Sequence, residues 1–197
     1  MYATPAFGPF VLPLVLEKLQ AASAVVKKDS LELLQRSVSV FGAAHLAPLL
    51  KDIRDILLEE LQTAPDAETE HLLLSALASV ARTLAKDGGS SLAPFVQAIV
   101  MSCKAKLDKL DTKLGQAACR LLAAIASSSD SACSLVGTLV LADLLKTYAS
   151  KTSPAQRNNV LEALHTIIVM CPFLLPVGFV KQNHASVWRS CSNSSVR

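Results

Sequence analysis

The sequence predicts an all-α protein built from repeated helix pairs, and three observations carry this prediction. Hydrophobic residues make up 51% of the 197 residues while aromatic residues make up only 5%, a mixture typical of helices packed through leucine and alanine. Seven glycines and nine prolines are too few for a turn-rich β fold. Finally, one short phrase recurs, as "HLAPLLKDI" from His45 and as "SLAPFVQAI" from Ser91.

The recurring phrase sets the length of the repeat. Variants of it surround Pro13 in "FVLPLVLEKL" and Pro176 in "FLLPVGFV", which gives an average step of about 41 residues. Two-helix units of this length are typical of HEAT and armadillo-type arrays, so we predict a HEAT-type α-solenoid of about four helix pairs with an incomplete fifth repeat. We expect Pro13, Pro48 and Pro94 in the first turn of a helix, where N–H groups have no partner.

The predicted array fills the chain as far as residue 180. Its helix pairs are expected at about 8–41, 45–86, 91–127 and 132–170, the fifth repeat starts at 173–180, and an irregular, serine-rich tail follows at 181–197. The individual helices are expected at about 8–20, 25–41, 45–62, 67–86, 91–106, 111–127, 132–149 and 155–170. The loss of helical periodicity after Lys181 leads us to expect a partial or alternative end.

Apolar spacing and end signals support each helix in turn. The second helices have leucine, valine, isoleucine or phenylalanine at three- and four-residue steps, which predicts one buried face: Leu31, Leu34, Val38 and Phe41, then Leu73, Leu77, Val80 and Leu84, then Val160, Leu164 and Ile167. We expect Gly42 and the "KDGG" at 86–89 to end helices, and Asp66, Asp130 and Ser153 to cap helix N-termini. The segment "SLVGTLVL" could be a strand when taken alone, but no other segment of comparable character could pair with it, so we predict no β structure.

The sequence offers no arrangement for metal binding or catalysis. The five cysteines are never closer than 14 residues and are odd in number, so we predict neither a disulfide framework nor a zinc site. Cys103, Cys119 and Cys133 are interpreted as buried apolar residues. His71 in "ETEHLLL" lacks the HExxH spacing, and no GxSxG elbow or phosphate loop occurs. We therefore expect no enzymatic activity and no cofactor.

A membrane anchor is kept as an alternative. The uncharged run from Ala163 to Val180 is 18 residues long, which is barely enough to span hydrocarbon. His165, Pro172 and Pro176 interrupt it, so we expect no membrane partner.

The candidate partner-facing residues are charged side chains on the predicted helices: Arg36, Glu70, Arg82, Lys104, Lys106, Lys109, Lys113, Arg120 and Arg157. Five of them fall in "CKAKLDKLDTKLGQAACR", where two aspartates interrupt the basic run. The segment is either a solvated edge between helices or an anionic docking patch. It contains no aromatic side chain on which a base could stack, so we expect no direct nucleic-acid binding.

The N-terminal segment "TPAFGPFVLPLVLEKL", followed by "AVVKKDSLELLQRSVSVFG", resembles the HEAT-repeat adaptor of the cytosolic iron–sulfur targeting complex. That family is also known as the methyl-methanesulfonate-sensitivity or nucleotide excision repair proteins. The later "SPAQRNNVLEAL" is similar to the loop and helix start of its following repeats. The resemblance covers residues 4 to about 175 and is most specific in the first 40.

The resemblance implies a non-enzymatic scaffold in the nucleus and cytoplasm. Its partners would be the other targeting subunits and apo-proteins of DNA repair, replication and transcription that receive iron–sulfur clusters. Members of that family are much longer than this chain, which leads us to expect a partial chain. An unrelated HEAT scaffold, of the transport or phosphatase type, is the alternative that shares the fold.

Overall fold

The computed structural model describes residues 7–21, 23–88 and 90–169. Within these ranges the chain is helical apart from short turns, and no strand occurs, so the all-α prediction is confirmed. The expected fifth repeat at 173–180, the tail at 181–197, Cys171 and Cys191 lie outside the described residues. The helices are α1 (Gly8–Leu19), α2 (Ala24–Phe41), α3 (Ala43–Leu46), α4 (Leu50–Gln62), α5 (Ala67–Lys86), α6 (Leu92–Leu107), α7 (Lys113–Ala126), α8 (Asp130–Ser150) and α9 (Pro154–Val169).

The helices form two layers. Helices α1, α4, α6 and α8 contact one another in sequence along one layer, and α2, α5, α7 and α9 do so along the other, which we call the second-helix layer. Each helix also packs on its chain neighbour in the opposite layer. Antiparallel neighbours stacked in this way are the arrangement of an α-solenoid. The division of the array into repeats stays a prediction.

The predicted apolar stripes form the core between the layers. All members of the α2 and α5 stripes are buried, as are Val160 and Ile167 of α9, whereas Leu164 is half-buried. Burying leucine-sized side chains contributes about 1.5–3 kcal/mol each. The spacing of apolar residues therefore fixes which face of each helix turns inward.

The predicted role of the prolines is correct only in α6. Pro94 lies in the first turn of that helix, but Pro13 lies inside α1, and Pro48 lies in a 3₁₀ turn between α3 and α4. The expectation is wrong for both because their helices begin several residues earlier, with Pro9 at the start of α1. Proline has no backbone N–H group, so inside a helix it cannot donate a hydrogen bond to the carbonyl oxygen four residues earlier. At Pro48 the helix is therefore interrupted.

Some of the residues predicted to end or cap a helix do so in the structure. The backbone of Gly42 ends α2 with a φ of 76°, in the region that favours glycine. Asp66 caps α5 by accepting a hydrogen bond of 2.6 Å from the backbone N–H of Thr69. The carbonyl of Ser153, directly before α9, accepts the backbone N–H of Arg157.

The prediction for Asp130 is wrong, since that residue is already helical. Ser129 has the extended backbone of a cap, and its hydroxyl accepts the backbone N–H of Ala132 at 3.2 Å. A further cap, Thr112, accepts the backbone N–H of Gly115 at 3.1 Å at the start of α7. Neighbouring serine and aspartate residues are equally good caps, so composition alone does not select between them.

Candidate partner-binding surface

The structure distributes the nine candidate residues over both layers and brings only Glu70, Arg82 and Arg120 to one place. Six lie on the second-helix layer, namely Arg36 on α2, Glu70 and Arg82 on α5, Lys113 and Arg120 on α7, and Arg157 on α9. The other three are Lys104 and Lys106 on α6 and Lys109 in the following turn. The basic segment from Cys103 to Arg120 is therefore split between two helices and the turn that joins them.

A groove of about 560 Å³ lies across the second-helix layer and contains two of the candidates. Its floor consists largely of alanine and serine side chains, and its ends carry arginine. The lining residues are Gln35 from α2, His71, Leu74, Ser75, Ala78, Ser79 and Arg82 from α5, Arg120, Ala123 and Ala124 from α7, Ser127 just after α7, and Thr166 from α9. None of these described lining residues is an aspartate or a glutamate. The groove, which we call the α5–α7 groove, therefore has a basic character.

Both arginines of the α5–α7 groove bridge the two helices. The Nε of Arg120 donates to Oε1 of Glu70 at 2.6 Å, near the start of α5. The Nε of Arg82 donates to the carbonyl oxygen of Ser128 at 3.4 Å, just beyond the end of α7. These contacts hold the arginines at opposite ends of the groove and tie α5 to α7 at both places.

A second set of ion pairs joins α2 to its neighbours. Lys27 Nζ lies 2.6 Å from Oε2 of Glu60 on α4. Lys28 pairs with Glu68 and lies 3.6 Å from Oδ2 of Asp66. The hydrogen bond to Glu68 is the main reason that the pKa of Lys28 is raised, and the hydrogen bonds from Thr69 lower the pKa of Asp66.

Arg36 and Lys104 form ion pairs outside the α5–α7 groove. Arg36 pairs with Glu32 one turn away, at 3.2 Å. Lys104 lies 3.1 Å from Asp143 of α8, beside a groove of about 270 Å³ between α6 and α8. Exposed pairs of this kind contribute about 0–1 kcal/mol to stability. Arg36 and Lys104 can therefore exchange these carboxylates for those of a binding partner.

Arg157 lies at the start of α9, close to the end of α8. Its Nε donates to the carbonyl oxygen of Lys151 at 2.8 Å, and its guanidinium carbon lies 5.6 Å from the centre of the Tyr148 ring. The side chain is thus engaged with the loop before α9 and lies outside the α5–α7 groove.

Three cysteines lie in the core, as predicted. Cys103, Cys119 and Cys133 are free and buried. Desolvation raises the pKa of the Cys103 thiol and raises that of Cys119 to about 11. Within the described ranges, no cluster of three or more histidine, cysteine, aspartate or glutamate side chains is placed to hold a metal ion.

One helix of the described chain meets the length and composition of a membrane span. This helix is α8, with a mean hydropathy of 1.3 over its best window and a third of that window buried. Its buried side chains include Val136 and Val140, and the helix packs on α6, α7 and α9. Of the run predicted as an alternative anchor, only residues 163–169 are described; they belong to α9, where Ala163 and Ile167 are buried.

Sequence reasoning missed the α5–α7 groove. Its floor is a set of small side chains at helical spacing on α5, from Ser75 to Ser79, and again on α7, from Ala123 to Ser127. Ala78 and Ala123 are buried and the others are half-buried. That spacing was visible in the sequence. The opposition of the two sets depends on the stacking of helices from different repeats, which a single repeat does not encode.

Comparisons with known proteins give consistent similarities. Residues 1–63 match the N-terminal MMS19 family model, described as a "Dos2-interacting transcription regulator of RNA-Pol-II". The human "MMS19 nucleotide excision repair protein homolog" is 34% identical over 167 residues, which is 82% of this chain and 16% of the relative. The Danio rerio homologue is 32% identical over 180 residues, 88% of this chain and 17% of the relative.

A more distant relative is the Schizosaccharomyces pombe "DNA repair/transcription protein mms19". It is 26% identical over 132 residues, which is 66% of this chain and 13% of the relative. The chain therefore spans about a sixth of the length of the curated animal relatives that it matches.

Proposed function

We propose, because this chain belongs to the MMS19 family, that it is a non-enzymatic scaffold of cytosolic iron–sulfur protein assembly. In this role it binds targeting subunits and apo-proteins of DNA repair, replication and transcription, so that clusters are delivered to them. The cluster is cargo handed between partners and is not held by this chain. The relatives are named as nucleotide excision repair and DNA repair/transcription proteins, and the delivery role is our proposal.

The observation that carries the proposal is the similarity to the MMS19 relatives over more than four fifths of the chain. The architecture is compatible with it, because a two-layer array presents a long, ridged surface to partners. The candidate arginines lie on that surface, on the second-helix layer. Family membership favours this function over that of an unrelated transport or phosphatase scaffold.

The proposed location is the nucleus and cytoplasm, where these partners act. Three free, buried thiols suit a reducing compartment, since disulfides are rare there. Fractionation of cells that express the tagged chain tests the location: recovery in the membrane pellet after detergent-free lysis would favour the anchor alternative.

Affinity purification tests the proposed function. The tagged chain is expressed in cells, lightly cross-linked and purified, and the bound proteins are quantified by mass spectrometry. We expect enrichment of iron–sulfur targeting subunits and iron–sulfur helicases or polymerases over an unrelated HEAT-repeat bait of similar length. Strong recovery of a transport GTPase with neither expected class would refute the proposal. Iron or zinc in stoichiometric amount in the purified chain would refute the interpretation of the cysteines.

A further inference from the structure

We infer that the α5–α7 groove binds an extended, acidic segment of a partner protein through Arg82 and Arg120. The inference rests on the proposed scaffold function, because the segment belongs to a protein that the scaffold would bind. Carboxylates of the segment bind at the two ends of the groove, and its peptide backbone lies along the floor of small side chains.

The charges of the groove favour an acidic occupant. Arg82 and Arg120 line it, no carboxylate is among the described lining residues, and the one carboxylate paired with a groove arginine is Glu70, which contacts Arg120 from outside the lining. The bridging contacts of Arg82 and Arg120 each use Nε. A guanidinium group has five N–H donors in a planar fork, so each arginine keeps donors for a bidentate contact with a carboxylate.

The dimensions of the groove set the length of an extended chain. Arg120 lies beside Glu70, and Arg82 lies twelve residues further along α5, which corresponds to about 18 Å of helix. On the α7 side, the partner of Arg82 is Ser128, eight residues beyond Arg120, or about 12 Å. An extended peptide advances about 3.3 Å per residue, so about four to six residues separate the two carboxylates.

The floor is suited to close approach of a peptide backbone. Ser75, Ala78 and Ser79 on α5 oppose Ala123 and Ala124 on α7, and these short side chains leave room for a main chain. A nucleic acid would need stacking surfaces and cations along its backbone. The described lining residues include no phenylalanine, tyrosine or tryptophan and only two arginines.

The test uses the full chain and a fluorescein-labelled peptide of about twelve residues, long enough to pass both arginines when extended. Glutamate alternates with glycine or serine in the probe, and lysine replaces glutamate in the control peptide. Fluorescence anisotropy is measured at low and high salt. We expect binding of the glutamate peptide that weakens at high salt, and no binding of the lysine peptide.

Four variants localise the binding. Arg82→Gln and Arg120→Gln are each expected to weaken peptide binding about tenfold or more, because each removes a charge-assisted contact. Arg36→Gln, an exposed arginine outside the groove, is the matched control and should leave the affinity unchanged. Because Arg120→Gln also leaves Glu70 without its partner, Ser75→Glu serves as a second variant that places a negative charge in the groove while both arginines remain.

Several outcomes overturn the inference. Equal affinity of the glutamate and lysine peptides, unchanged affinity in Arg82→Gln and Ser75→Glu, or tighter binding of single-stranded RNA of similar length would each do so. The affinity purification separates this inference from the proposed function. If the groove variants lose the acidic peptide while the unmodified chain recovers no targeting subunit, the groove assignment holds and the delivery role fails. If the targeting subunits are recovered and no variant affects peptide binding, the function holds and the groove assignment fails.

Discussion

Replacing Gly115 with alanine tests the close approach of α7 to the backbone of the turn before it. A Cβ atom at this position would lie 2.3 Å from the carbonyl oxygen of Lys109 and 2.8 Å from the Cα of Leu110. Both are backbone atoms of the turn between α6 and α7, so rotation of a side chain cannot relieve the contact. The turn would have to move by about 1 Å to reach an ordinary separation, which is an overpacking change.

The magnitude follows from two opposing terms. Overpacking costs about 1–3 kcal/mol, and a forced movement of backbone belongs at the upper end of that range. Alanine is favoured over glycine in a helix by about 1 kcal/mol. We therefore expect Gly115→Ala to lower the free energy of unfolding by about 2 kcal/mol and the midpoint of thermal unfolding by about 4–8 °C.

Urea and thermal unfolding followed by far-ultraviolet circular dichroism provide the measurement. The matched control is Gly8→Ala, where the added Cβ would meet only the side chain of His45, at 3.1 Å or more. That ring can move, so we expect a much smaller effect. Equal or greater stability of Gly115→Ala relative to the unmodified protein would refute the reasoning, because it would mean that the turn yields without cost.

Three further predictions concern helix ends. Thr112→Ala removes the cap of α7 and should cost about 1 kcal/mol of stability, whereas Thr112→Ser should not. The buried hydroxyl of Ser128 has no hydrogen-bond partner among the described residues, so Ser128→Ala should be neutral or should stabilise the chain by about 1 kcal/mol in urea unfolding; clear destabilisation would contradict this. The pKa of Asp66 is lowered from 3.8 in the folded state, so its charge adds stability above pH 3.8 that is lost as the pH falls through the folded pKa. The stability advantage of the unmodified protein over Asp66→Asn should accordingly be present at neutral pH and shrink as the pH falls below 3.8, and an advantage that does not change with pH would argue against it.

The helical faces could be predicted from the sequence because burial imposes a period. Leu34, Val38 and Leu77 were placed in the core by spacing alone, and all are fully buried. The signal is strong because rotating a helix by one residue would bury a polar side chain, which would cost several kilocalories per mole of stability.

The prolines and the caps were harder to predict because they depend on where a helix starts. Pro48 was expected in a first turn, yet α3 already begins at Ala43, so the proline interrupts the helix. Asp130 and Ser129 are adjacent, and the difference between them in cap preference is a few tenths of a kilocalorie per mole. Ser129 is the cap because its backbone has the extended conformation of a cap residue, and tertiary packing sets that conformation.

The candidate site was predicted least well. Arg82 and Arg120 were chosen for their charge, but they come from different helix pairs and meet one groove only through the packing of α5 on α7. Lys104 and Arg120, which share one basic segment of sequence, lie on different layers. Distance along the chain is a poor guide to a surface that is assembled across repeats.

Burial protects the three core thiols from oxidation. With a pKa of about 11, Cys119 is ionised in only about one molecule in ten thousand at pH 7, and the thiolate is the form that reacts with peroxides. Cys103 and Cys133 are equally shielded from solvent, at 1% exposure each. Burial thereby keeps these three sulfur atoms from being converted to sulfenic acid, a change that would place polar groups in the packed interior between the two helix layers.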